Sequence, residues 1–152
     1  MPDGLIHAAL TVWAVPLLRE PRLRWILYAG AILPDVVMKT MTFLFDADWR
    51  FAAAAHSLLG VALVAYLTAH LWPESERPSV CLALLAGGAL HLAVDALQDP
   101  QEGWGVFLLL PFDRTEFALG WFTDAQALRW APAAAAALLL VELALRHAQP
   151  RR

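Results

Sequence analysis

Long apolar stretches separated by short polar breaks dominate the chain, and their lengths set the first expectations. Leu5 to Leu18 is a short apolar segment, closed by Arg19-Glu20-Pro21-Arg22-Leu23-Arg24, where proline and charge together mark a loop. Trp25 to Leu33 is apolar, meets Pro34-Asp35 and resumes from Val36 to Phe45, so this second span is expected to be kinked or broken at Pro34. Phe51 to Trp72 is the cleanest span, about 33 Å long at 1.5 Å per residue, and it opens with the small residues Ala52 to Ala55. A polar loop from Pro73 to Pro78 precedes a fourth span, Val80 to Leu97, in which Gly87-Gly88 lie one turn before His91. Val106 to Phe112 is too short to cross a bilayer, and the aromatic-rich segment 106–122 is expected to be re-entrant or interfacial. Ala131 to Leu145 forms a last, alanine-rich helix.

Composition turns these lengths into a class. Hydrophobic residues make up 60% of the 152 residues and charged residues only 16%, with a mean hydropathy of +0.55; soluble domains have about 45 to 50% and a quarter respectively. The expectation is an all-α integral membrane bundle of about four to five spans plus the re-entrant or interfacial segment, in one domain over residues 1–152. The start of the chain has no basic n-region, so no cleavable signal peptide is expected. A net charge of −3 without a Lys/Arg block gives no nucleic-acid-binding signal. Cys81, the single cysteine, reads as a small buried hydrophobe. Arg19, Arg22 and Arg24, with Arg146, Arg151 and Arg152 at the end, mark a cytoplasmic first loop and C-terminus under the positive-inside rule.

Span parity then places five ionisable residues at one membrane face: His7, Asp35, His56, His91 and Asp95. On the assigned orientation that face is extracytoplasmic. His91 and Asp95 are four apart, so both project from one helix face and can share a metal. Each residue also has an ordinary alternative. His91 and Asp95 can pair with each other, His56 can be a hydrogen-bonded core residue, Asp35 can cap a helix, and His7 can be solvated at the interface. An Asp in an apolar span costs about 2.5 to 3.5 kcal/mol on insertion scales, and five ionisable groups arriving at one end favours a metal site. His70 lies fourteen residues beyond His56, roughly 21 Å along a helix, and is excluded from that site. His147 falls in the basic tail.

The ordered set His7, Gly30-Ala31-Ile32-Leu33-Pro34-Asp35, Ala55-His56-Ser57-Leu58-Leu59, Gly88-Ala89-Leu90-His91-Leu92-Ala93-Val94-Asp95 and Gly105-Val106-Phe107-Leu108-Leu109-Leu110-Pro111-Phe112 resembles the YdjM-like family of LexA-regulated, membrane-bound metal-dependent hydrolases. That family is in turn distantly similar to zinc-dependent phospholipase C and P1 nuclease, helical phosphoesterases. The resemblance implies that His7, Asp35, His56, His91 and Asp95 hold the metal. The further His, His and Glu of the soluble enzymes' three-zinc cluster have no counterpart here, because no histidine lies between His91 and His147.

The expected activity is therefore metal-dependent hydrolysis of a phosphoester, on a phospholipid or another membrane-proximal substrate. Two Asp and two His, with His7 in reserve, suit one or two divalent ions, zinc foremost. Asp35 is the candidate catalytic residue, bridging metals or taking a proton from water. Ser57 and Asp99 are candidates for substrate contact or ligand support, and Arg114 for a phosphate contact, its ordinary alternative being an interfacial anchor beside Phe112 and Trp121. The alternative is a non-enzymatic metal-binding or transport protein. A structural subunit held together by scattered polar residues fits less well, since the five residues gather at one face. Oligomeric state is left open by the sequence.

Overall fold

A computed structural model describes residues 7, 11, 18, 20–48, 52–99 and 106–148 of the chain. The described residues are all-helical, without strands. They form α1 (Pro21–Leu44), a 3-10 turn (Ala53–His56), α2 (Leu58–Ala69), α3 (Arg77–Leu97) and α4 (Asp124–Ala148). Windows in α1, α3 and α4 are long and apolar enough to cross a membrane. The expected first segment, Leu5 to Leu18, lies outside the described residues except for His7, Thr11 and Leu18.

Helix α1 starts earlier than the loop signal suggested, because Pro21 occupies its first turn, where a missing N–H costs nothing. It then runs unbroken through Pro34 to Leu44. Two of the three arginines expected in a cytoplasmic loop are thereby helical and paired. Arg22 meets Glu76 at 2.6 Å, and Arg24 is only 2% exposed, with Nε and Nη2 donating to Glu142 on α4 at 3.2 and 3.3 Å. Tyr28 adds its hydroxyl to the same carboxylate at 2.8 Å. Arg24 therefore joins helices and is not a free headgroup-facing charge, so it no longer counts toward orientation.

The segment Phe51 to Trp72, expected as one span of about 33 Å, is instead divided at Ser57. There the backbone turns extended (φ −114°, ψ 161°) between the 3-10 turn and α2. The cause is local: the Ser57 hydroxyl accepts from the Gly60 N–H at 2.9 Å and donates to the Ala54 carbonyl at 2.8 Å, offering the backbone a cap where a helix would otherwise continue. Gly60 permits the fold-back, since a β-carbon there would overlap the Ala54 carbonyl. With 12 residues, α2 is roughly 18 Å long, well short of a bilayer core of about 30 Å.

Helices α1 and α3 pack in parallel at a constant register. Gly87 faces the Leu27 carbonyl and Gly30–Ala31, and Ala31 in turn meets His91. Glycine is required at this crossing because a side chain at Gly30 or Gly87 would collide with the other helix's backbone. Helix α2 returns antiparallel against α3. Gly88 lies on Val61, while Ala65 and Ala69 join Ile26, Val80, Ala83 and Leu84 in the main apolar cluster. Cys81 packs half-buried against the same cluster.

The expected re-entrant or interfacial segment contains no helix from Val106 to Thr123. It is stitched across one end of the bundle by backbone bonds: Leu58 N–H to Leu108 O, Leu119 N–H to Ala96 O, Trp121 N–H to Leu97 O and Asp99 N–H to Phe122 O. Much of it is exposed, including Phe112 and Trp121 at 87% and 73%. Helix α4 begins at Asp124, seven residues before the expected Ala131, and contains Pro132.

Candidate metal centre

Three elements deliver the polar side chains to one point. Asp35 lies within α1, one residue past Pro34; His91 and Asp95 occupy successive turns near the end of α3; His56 ends the 3-10 turn. His7 joins them from the N-terminal region. All five expected ligands are thus together, and His7, Asp35, His56 and His91 are each at most 4% exposed. Asp95 is slightly more open, with a side chain 12% exposed.

The contacts form a closed set. His56 Nε2 is 3.1 Å from Asp35 Oδ1, His91 Nε2 is 3.1 Å from Asp95 Oδ2, and His7 Nε2 is 3.3 Å from Asp95 Oδ1. Longer separations of 3.9 Å connect His56 to Asp95 and His91 to Asp35. The His7 and His91 rings stack with centroids 3.9 Å apart. Two overlapping groups have ligand atoms close enough for one ion: His7, His91 and Asp95, and Asp35, His56 and His91.

The orientation of His91 decides what this arrangement can hold. Its Nδ1 lies 2.7 Å from the Ala31 carbonyl, which can only accept, so Nδ1 carries the proton and donates. In the neutral ring Nε2 is then a lone pair directed at carboxylate oxygens, and it has no hydrogen-bond partner. Lone pairs facing one another in a dry site repel, and a cation between them removes the conflict. His7 Nε2 and Asp35 Oδ2 are likewise buried without hydrogen bonds. The residues present therefore fit a divalent ion, with the Ala31 contact setting the tautomer as backbone carbonyls do for metal-binding imidazoles.

Other expected residues fall elsewhere. The Ser57 hydroxyl, expected as a substrate or ligand-supporting group, caps α2 and belongs to neither donor group. Asp99 is exposed beyond the end of α3 and belongs to neither donor group. Arg114 is exposed in the 106–123 segment. It sits inside a turn where the Thr115 hydroxyl and N–H hold Asp113 at 2.7 and 2.9 Å and keep that carboxyl below its ordinary pKa. His70 is exposed and bonded to the Tyr66 carbonyl, apart from the cluster, and His147 is exposed. Sequence reasoning passed over the Ala31 carbonyl, for which no residue type could signal, and Lys39, whose place four residues after Asp35 could have done so.

Fold and site together define an integral membrane protein with a buried cluster of histidine and aspartate donors between its helices. The chain belongs to the YdjM inner membrane protein family, whose model matches residues 3–151. Comparisons with curated proteins and with solved structures return no match, so the more distant similarity to phospholipase C and P1 nuclease finds no support there.

Proposed function

We propose that this protein is a membrane-embedded, metal-dependent hydrolase acting on a phosphoester carried by a lipid or presented at the membrane surface. The observation that carries the reading is the His91 ring, fixed by Ala31 so that its free nitrogen faces two carboxylates within a set of five converging donors. His7, His56, His91, Asp35 and Asp95 would hold one or two divalent ions, with zinc suited to this nitrogen and oxygen set. Such an ion supplies Lewis acidity, acidifying water and offsetting charge that develops on phosphoryl oxygens.

The chain's own groups would divide the remaining work. Asp35, buried and contacted at Oδ1 by His56, would bridge metals or accept a proton from water. The exposed apolar residues Phe43 and Phe45 at the C-terminal end of α1, with Phe112 and Trp121 in the 106–123 segment, suit a substrate with an acyl tail.

Elemental analysis of the purified protein, with hydrolysis assays on a generic phosphodiester and on phospholipids, tests the reading. Wild type should retain metal and turn over, chelation should stop it, and His91→Ala should lose both properties. Turnover that survives exhaustive chelation would falsify the metal dependence, and metal retention without turnover on any phosphoester would leave a metal-binding protein instead. We further propose that the site faces away from the cytoplasm, as the parity of the spans suggests. In a Cys81→Ala background, an impermeant thiol reagent applied to intact cells should label Asp99→Cys and spare Arg22→Cys; the reverse pattern inverts the orientation.

A further inference from the structure

Helix α1 does not stop at the metal centre. The helix end at Leu44 lies nine positions beyond Asp35, so α1 rises roughly 13 Å past the site, whereas α3 ends two residues after Asp95. One turn along that projecting wall stands Lys39. Helical side chains lean toward the N-terminus, and Lys39 accordingly reaches back until Nζ is 3.8 Å from Asp35 Oδ2, while its side chain stays 46% exposed.

This contact is too long for a hydrogen bond, and Asp35 Oδ2 has none from any other group. The ammonium thus stands beside the cluster, with its side chain partly exposed, and faces a buried carboxylate oxygen that has no hydrogen bond. A lysine facing lipid from a helix of this kind is costly, and its position invites an anionic partner. Charge counting points the same way. With neutral imidazoles, the carboxylates of Asp35 and Asp95 balance a single divalent ion, leaving no net attraction for an anion. Lys39 adds one positive charge, which matches a phosphodiester's single negative one.

We propose that Lys39 is the anion-binding residue of this site, contacting a non-bridging phosphoryl oxygen of the substrate once Asp35 is engaged by the metal. The inference rests on the metal-centre reading and assigns the feature that selects a phosphoester over a neutral ester. Lysine serves here as a point charge with three donors, able to swing from carboxylate to phosphate without moving the helix.

The test uses the full chain in detergent, loaded with cobalt(II), whose visible spectrum reports both stoichiometry and the approach of inorganic phosphate. Lys39→Met should keep the cobalt stoichiometry of wild type, which also certifies its fold, while phosphate affinity falls roughly ten- to a hundredfold, as for loss of one charged hydrogen bond. Lys39→Arg should restore most of that affinity. Unchanged phosphate binding in Lys39→Met overturns the assignment, as does a wild type that takes cobalt but no phosphate; the metal centre then still stands. Loss of cobalt in Lys39→Met also overturns it, making Lys39 a keeper of the ligand geometry. A wild type that binds no cobalt overturns the metal-centre reading and this inference with it.

Discussion

Two buried ionic clusters lie on α1, about two to three turns apart, and they are built on opposite principles. At the Arg24 level every group is answered: the guanidinium meets both oxygens of Glu142, and Tyr28 donates to the same carboxylate. At the Asp35 level, nitrogens and oxygens of five residues converge with His7 Nε2, His91 Nε2 and Asp35 Oδ2 unsatisfied. A satisfied buried ion pair is costly to break from one side, because removing one partner strands the other. Unsatisfied donors gathered at one point need something from outside. The contrast sets a satisfied ion pair against an unsatisfied cluster in one helix, where residue type alone would class both as expensive ionisable groups in a membrane span.

The sharpest way to break this comparison is to remove one partner from each cluster in metal-free protein. Glu142→Ala strands Arg24 in a dry site and should cost about 3–5 kcal/mol, while the paired change Arg24→Met with Glu142→Leu should recover most of the loss. Asp35→Asn, by contrast, relieves a conflict and should change stability by less than about 1 kcal/mol. Unfolding in detergent by denaturant reads all three. Equal losses for Glu142→Ala and Asp35→Asn would mean that the Asp35 cluster is structural too.

A smaller effect should come from the helix crossing that lies between the clusters. Gly87→Ala places a methyl against the Leu27 carbonyl and pushes α1 from α3, which overpacking data price at about 1–3 kcal/mol. Because the Ala31 carbonyl moves away from His91 Nδ1, metal affinity should also fall, by roughly ten- to a hundredfold for a lost supporting contact of this kind. Stability lost with metal affinity intact would show that the tautomer of His91 is set by something other than Ala31.

The smallest change tests the cap at Ser57. Ser57→Ala removes the cap of α2 and should cost about 1 kcal/mol, with metal content unchanged. Ser57→Asp, which can cap, should regain most of it. A Ser57→Ala protein that is as stable as wild type yet loses metal would return this residue to the site.

The sequence alone was enough for the membrane class and for the gathering of His7, Asp35, His56, His91 and Asp95. Both follow from properties that survive translation into any packing: runs of apolar residues need lipid or a core, and ionisable groups spaced at span ends are too costly to be incidental. Their coming to one face needed only the alternation of segments. The parallel α1 and α3 with antiparallel α2 preserve that alternation even though α2 is too short to cross. Tertiary structure decided the rest, because it depends on which backbone groups meet across helices. Pro34 could break α1 or pass within it; packing against α3 kept the helix whole and turned the Ala31 carbonyl into the partner of His91. Arg24 read as a loop charge until Glu142, 118 residues away, was brought beside it. Hydropathy and spacing report a residue's own cost of burial, and only the folded chain shows what is there to offset it.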